Sequence, residues 1–144
     1  GMIYWDIPFK PGKLEVTGIK NGKECSAYVL ETTTKPYSIK ADLAKTNIST
    51  KNKTAIIEIS IVDEKGRLVL NSYDEIKCDI NGNASLPGIE SGNQSDVSDY
   101  KDNVQNVFQG KCVAYVKCNE FREKIKVTVS SPSLKSAEVE IKLK

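Results

Sequence analysis

What most limits the fold of this chain is a period of two in its apolar residues. In Ser136–Lys144, Ala137, Val139, Ile141 and Leu143 share one face, while Ser136, Glu138, Glu140, Lys142 and Lys144 share the other. In Lys124–Ser130, Ile125, Val127 and Val129 point one way, and Lys124, Lys126 and Thr128 the other. In Ala55–Val62, one face carries Ala55, Ile57, Ile59 and Ile61, and the other Ile56, Glu58, Ser60 and Val62. Successive side chains of a strand project to opposite faces, so this pattern predicts strands of antiparallel sheets with one buried face. Composition agrees. Ile and Val total 26 residues against 15 for Ala and Leu, and branching at Cβ suits a pleated surface better than a helix.

Weaker alternation marks further strands. Ser38–Ala44 aligns Ile39, Ala41 and Leu43; Glu75–Ile80 aligns Ile76, Cys78 and Ile80; Lys111–Cys118 aligns Cys112, Ala114, Val116 and Cys118. A short strand is expected at Arg67–Asn71, after a turn at Asp63-Glu64-Lys65-Gly66 whose glycine accepts positive φ. Pro132 marks the corner between the last two strands. Residues 38–144 thus hold about seven short strands, the count of an immunoglobulin-like antiparallel β-sandwich. Two such sheets hide each other's apolar rows, and Phe108 is expected to plug the interior.

Residues 1–37 read differently. Lys13–Lys20 and Glu24–Thr32 flank Asn21-Gly22, a two-residue hairpin turn in which both positions tolerate φ > 0. A third strand is possible on pattern at Ile3–Ile7. A lone hairpin is marginal in water. The expectation is therefore that this segment docks on the following sandwich, pairs with another molecule, or is the tail of a sandwich whose earlier strands are absent. Thr32-Thr33-Thr34-Lys35-Pro36 reads as the linker. Gly1 reads as a residue left from an expression tag.

Composition also removes functions. The chain has no histidine, which excludes Ser-His-Asp and Cys-His catalysis and His-ligated metals. Its net charge of +2 rests on 21 basic residues, of which only Arg67 and Arg122 are arginine. Lysines alternate with acidic residues, so no nucleic-acid partner is expected. No apolar run reaches the roughly 18 residues of a membrane helix, so no membrane partner is expected either. The four cysteines, Cys25, Cys78, Cys112 and Cys118, form no Cys-x-x-Cys pair. They read as small buried hydrophobes, with a Cys78–Cys112 disulfide as the alternative. No cofactor or metal is expected.

Candidate contact residues cluster in and near the long connection Asn81–Gly110, read as a loop with little periodicity. It carries Glu90, Asn93, Asp96, Asp99 and Tyr100, while Tyr73 and Asp74 lie just before it. Aromatic faces bind the C–H faces of sugars and neighbouring carboxylates fix hydroxyls, so these seven residues are candidates for a sugar-contact or interface loop. Calcium is a weaker use of the same acidic residues, whose spacing departs from the EF-hand order. A glycosidase pair would need a rigid cleft holding two carboxyls, which a loop on a small sandwich lacks. Asn-x-Ser/Thr triplets at Asn47, Asn52, Asn83 and Asn93 follow from Asn- and Ser-rich loops.

Tyr4-Trp5-Asp6-Ile7-Pro8-Phe9-Lys10-Pro11-Gly12-Lys13-Leu14-Glu15-Val16 resembles a stretch near the end of a sandwich domain in family 2 glycoside hydrolases, the large multidomain β-galactosidase-like enzymes. The following Gly18 and Asn21-Gly22 fit the same pattern. The remainder resembles the C-terminal immunoglobulin-like domain of these enzymes through Ile39-Lys40-Ala41-Asp42, through Glu58–Arg67, through Gly88-Ile89-Glu90-Ser91-Gly92-Asn93, and through Phe108-Gln109-Gly110-Lys111-Cys112. Ser91 stands where the family commonly has Asn. The resemblance implies a non-catalytic accessory role, since no position matches the catalytic glutamates of the family's barrel. It also implies that residues 1–37 end a preceding sandwich domain, that residues 38–144 form the Ig-like domain, and that upstream domains of the same polypeptide are the partner. The implied parent is bacterial, and periplasmic or secreted. A carbohydrate-binding module and an adhesin-type spacer are the alternative functions.

Overall fold

The computed structural model describes residues 3–44, 53–119 and 124–142. Asn47 and Asn52 of the Asn-x-Ser/Thr triplets, together with Phe121, Arg122, Leu143 and Lys144, lie outside those residues. Every regular element described is a β-strand, and the chain divides into two compact units, Gly1–Thr33 and Thr34–Lys144.

The first unit is a two-stranded antiparallel hairpin, β1 (Lys13–Lys20) and β2 (Lys23–Glu31). Asn21 (φ 51°) and Gly22 (φ 72°) both occupy the left-handed region, as a tight hairpin turn with the native strand twist requires. The register pairs Leu14 with Leu30 and Val16 with Tyr28, so those four side chains share one face. Leu14, Val16, Tyr28 and Leu30 are all exposed. The third strand expected at Ile3–Ile7 is absent: residues 3–10 carry no regular structure. Pro8 and Pro11 frame that stretch and remove backbone donors.

The second unit is an immunoglobulin-like β-sandwich. One sheet has the order β3-β4-β8-β6, from β3 (Ser38–Leu43), β4 (Thr54–Val62), β6 (Ala84–Glu90) and β8 (Lys111–Cys118). The other has the order β10-β9-β5-β7, from β5 (Glu75–Asn81), β7 (Val104–Asn106), β9 (Ile125–Ser130) and β10 (Ala137–Ile141). With β7 set aside, this is the ABED/GFC arrangement of a constant-type immunoglobulin domain. The first strand also bridges in parallel to the segment before the last, Ser38 to Lys135.

The period-two rows close on each other as expected. Ala55, Ile57, Ile59 and Ile61 of β4 are buried, as are Cys112, Ala114, Val116 and Cys118 of β8. They meet Ile76 and Cys78 of β5, Ile125, Val127 and Val129 of β9, and Val139 and Ile141 of β10 in one core. Leu43, predicted inward on β3, is exposed at the strand's end. Val107 fills the interior place foreseen for Phe108, which is half-buried beside it. The three core cysteines are free thiols, and so is the exposed Cys25. Burial pushes the thiols of Cys78 and Cys112 up to about 12.

Two strand assignments change. Residues 67–71 form no strand; Leu68 makes only an isolated bridge to Val62. Around that bridge two ladder bonds form, Asp63 N to Arg67 O (3.0 Å) and Val69 N to Ile61 O (2.9 Å), before Ser72 N bonds Val69 O and the chain turns away. The buried carboxylate of Asp63 organises the preceding turn. It accepts from the N–H groups of Thr34 (3.1 Å), Lys65 (3.0 Å) and Arg67 (3.0 Å), and pairs with the Arg67 guanidinium at 2.7 Å. The Arg67 hydrogen bonds outweigh burial and hold this carboxyl far below the usual carboxylate range. Conversely, the 81–110 connection is not one loop. It contains β6 and β7, and only residues 91–103 connect them. Pairing of β6 with β8 slips between Ser85 and Gly88, a bulge that breaks the alternation around Pro87.

Candidate functional site

The seven candidate residues fall into three places. Tyr73 and Asp74 close the β4–β5 connection. Glu90 ends β6. Asn93, Asp96, Asp99 and Tyr100 lie in the 91–103 connection.

Tyr73 is 57% exposed, and its ring meets that of Phe108 edge-on, at 6.0 Å and 63°. The half-buried Asp74 is held by two hydroxyls: Ser72 Oγ donates to Oδ2 at 2.6 Å, and Ser133 Oγ to Oδ1 at 3.4 Å. Backbone bonds tie this turn to its neighbour. Val107 N donates to Asp74 O (3.0 Å), and Gly110 N donates to Ser72 O (3.0 Å). Gly110 has φ 70°, and a Cβ there would lie 2.3 Å from the Val69 carbonyl oxygen. The two turns therefore pack backbone to backbone at a position only glycine fits.

The exposed Glu90 accepts a hydrogen bond of 2.5 Å from the Tyr115 hydroxyl, reaching from β6 to β8. This bond, with burial added, raises the Tyr115 phenol above its usual range. Cys112 Sγ donates to the Glu90 carbonyl at 3.1 Å.

Three Asn and Asp side chains of the connection turn on their own backbone. Asn93 Oδ1 accepts from Ser95 N (3.1 Å), Asp96 Oδ1 from Ser98 N (2.9 Å) and Asp99 Oδ1 from Lys101 N (3.0 Å). These are three successive Asx turns. The Ser98 bonds hold the Asp96 carboxyl below its usual value. Buried Gln105 exchanges hydrogen bonds with Ser98, and Ile89 N donates to Tyr100 O at 2.8 Å, so the connection is tied to both sheets. The Tyr100 ring lies over Gly88, whose missing side chain makes the room: a Cβ there would meet the ring at 3.1 Å. Among the described residues, no three acidic or thiol side chains converge as metal ligands.

Tyr73 and Asp74 stand out in the sequence as neighbours, whereas Ser133 and Tyr115 reach their partners across 59 and 25 residues. Only the sheet register brings such pairs together, and no local pattern signals it.

The fold thus defines an immunoglobulin-like sandwich carrying polar and aromatic residues on its connections, and a separate two-stranded hairpin unit before it. The chain belongs to the glycoside hydrolase family 2 C-terminal domain 5 family, whose model matches residues 39–140. A β-galactosidase of Bacteroides ovatus, BoGH2A, is 25% identical over 140 residues, which is 96% of this chain and 16% of that enzyme. A solved β-glycosidase from Bacteroides vulgatus is 28% identical with a TM-score of 0.85, over 96% of this chain and 18% of that one. A family 2 member from Bacteroides cellulosilyticus shares the fold at a TM-score of 0.87 and 23% identity, over 95% of this chain and 19% of that one. The chain spans less than a fifth of the length of these relatives.

Proposed function

We propose that this chain is the non-catalytic C-terminal accessory region of a larger bacterial family 2 glycoside hydrolase. It braces or extends the enzyme and presents the 91–103 connection to the substrate entrance or a neighbouring subunit. The carrying observation is the match to a C-terminal domain together with the small share of each relative that the chain covers. The chemistry supports it. Asp96 and Asp99 of the connection are engaged with nearby backbone amides, and Glu90 at the end of β6 with the Tyr115 hydroxyl, whereas a hydrolytic pair must face one another across a cleft.

In this reading residues 1–37 are the last strands of a preceding sandwich domain of the same polypeptide, and residues 38–144 the Ig-like domain. The exposed face of Leu14, Val16, Tyr28 and Leu30 supports that division, because two strands alone leave such a face wet. The parent is read as bacterial, like its relatives, and its proposed location is the periplasm or outside the cell. The test is to assay the 144-residue chain and its full-length parent side by side on nitrophenyl β-galactoside and related glycosides. Turnover by the parent and none by the isolated chain is the expected result. Hydrolysis by the chain alone contradicts the proposal.

A further inference from the structure

We infer that one end of the sandwich is a carbohydrate subsite, in which the Tyr73 ring takes the C–H face of a pyranose and the Asp74 carboxylate takes its hydroxyls. The end in question is built from the β4–β5, β7–β8 and β9–β10 connections. In immunoglobulin topology the first and last of these are the B–C and F–G loops, which share the end used for recognition in variable domains. Here they are joined into one surface. Asp74 from the first accepts the hydroxyl of Ser133 from the last, and the backbone of residues 107–110 bonds to Ser72 and Asp74.

The surface has the parts a sugar needs. Tyr73 presents more than half its area to solvent, while Phe108 supports the ring edge-on from the protein side. An aromatic π-face attracts the weakly positive C–H groups of a pyranose. An ionised carboxylate is acceptor-only, with about four lone-pair sites. Ser72 holds one oxygen at 2.6 Å and Ser133 reaches the other at 3.4 Å, leaving sites for two sugar hydroxyls. Groups fixed before binding lose little entropy when the ligand arrives. Tyr100 is equally exposed, at 56%, but the neighbouring Asp99 carboxylate is turned onto the Lys101 amide and Lys101 Nζ stands 5.8 Å from the ring centroid, so ring and carboxylate are not presented together there. The choice of a sugar rests on the proposed reading that the parent acts on glycosides.

The test is a chemical-shift titration of the isotope-labelled 144-residue chain with galactose, lactose and cellobiose into the millimolar range. The expected result is saturable shifts at Tyr73, Asp74, Phe108 and Ser133 with at least one of these sugars. Tyr73→Ala should weaken binding about tenfold or more, Tyr73→Phe should retain it, and Tyr100→Ala should leave it unchanged. Mapping on the unaltered chain locates the site even where a variant fails to fold. Flat titrations with all three sugars, or saturable shifts that leave Tyr73 and Ser133 unmoved, overturn the subsite. A parent that shows no glycosidase activity while the chain still binds sugar at Tyr73 overturns the reading of the parent and leaves the subsite standing.

Discussion

The two units of this chain use the same secondary structure under opposite conditions. In the hairpin, β1 and β2 pair from end to end apart from a bulge at Cys25, yet every residue of β2 is exposed and Gly18 alone is half-buried in β1. In the sandwich, shorter strands such as β9 bury every second residue. Backbone pairing is therefore common to both, and apolar burial belongs to one. Net backbone hydrogen bonding contributes little beyond what water supplies, so burial decides which unit is stable. The hairpin is specified by its turn, and the sandwich by its faces.

The largest effects should come from breaking the faces. Ile57 is fully buried at the centre of β4, and Ile57→Ala should cost about 2–5 kcal/mol in urea unfolding. The matching truncation in the hairpin, Val16→Ala, should stay within about 0.5 kcal/mol. Equal effects at the two sites would remove the contrast.

Two glycines in the left-handed region sharpen it next. At Gly22 a Cβ meets nothing within 4 Å, so Gly22→Ala carries only the backbone penalty of about 1–2 kcal/mol. That penalty should weaken the hairpin and leave the sandwich's melting temperature in place. At Gly110 the same backbone strain is joined by the contact with the Val69 carbonyl, so Gly110→Ala should lower that temperature clearly. A melt in which Gly110→Ala is neutral would show that the 107–110 turn is free to move away from Val69.

A smaller effect separates the units by pH. Asp63 has its carboxyl pKa depressed in the folded sandwich. Its contribution is fully present above the ordinary carboxylate range near 4 and is lost progressively as pH falls toward the folded value. Asp63→Asn should therefore flatten the acid limb of sandwich stability, measured by urea midpoints from pH 6 down to about 2. An unchanged slope would show that the Arg67 pair carries no folding linkage.

At alkaline pH the sign reverses. Cys78 and Cys112 are held as thiols up to about 12, whereas unfolded thiols ionise near 8.5. Their linkage to stability is fully favourable below about 8.5 and fades as pH climbs toward 12. The mildest probe uses the same groups at neutral pH. A maleimide should label Cys25 at once and reach Cys78, Cys112 and Cys118 only on unfolding. Rapid labelling of four thiols in the native chain would contradict the buried rows.

Much of this contrast was legible in the sequence, for physical reasons. The buried rows of β4, β8, β9 and β10 announce themselves because one face must be apolar. The Asn21-Gly22 turn does so because few other pairs accept its backbone angles. The rest was hidden where alternation fails. β6 carries Pro87 and Gly88 at a bulge, and β7 is three residues long, so neither shows a period. Residues 67–71 carry an apolar run like a short strand, but their pairing with 61–63 stops at Val69, where Ser72 N bonds the Val69 carbonyl and the chain turns away. At the candidate sugar site, the ring and carboxylate stand side by side in the chain, while the hydroxyl of Ser133 arrives from a strand connection 59 residues away.

Amide hydrogen exchange on the intact 144-residue chain tests the central claim most directly, because it reads the two units separately under one condition. The amides of β4, β5, β8 and β9 should exchange only through global unfolding, while those of β1 and β2 should exchange faster by orders of magnitude. Protection of β1 and β2 equal to that of β4 would contradict the account, since paired strands without a buried face would then be as stable as a closed sandwich.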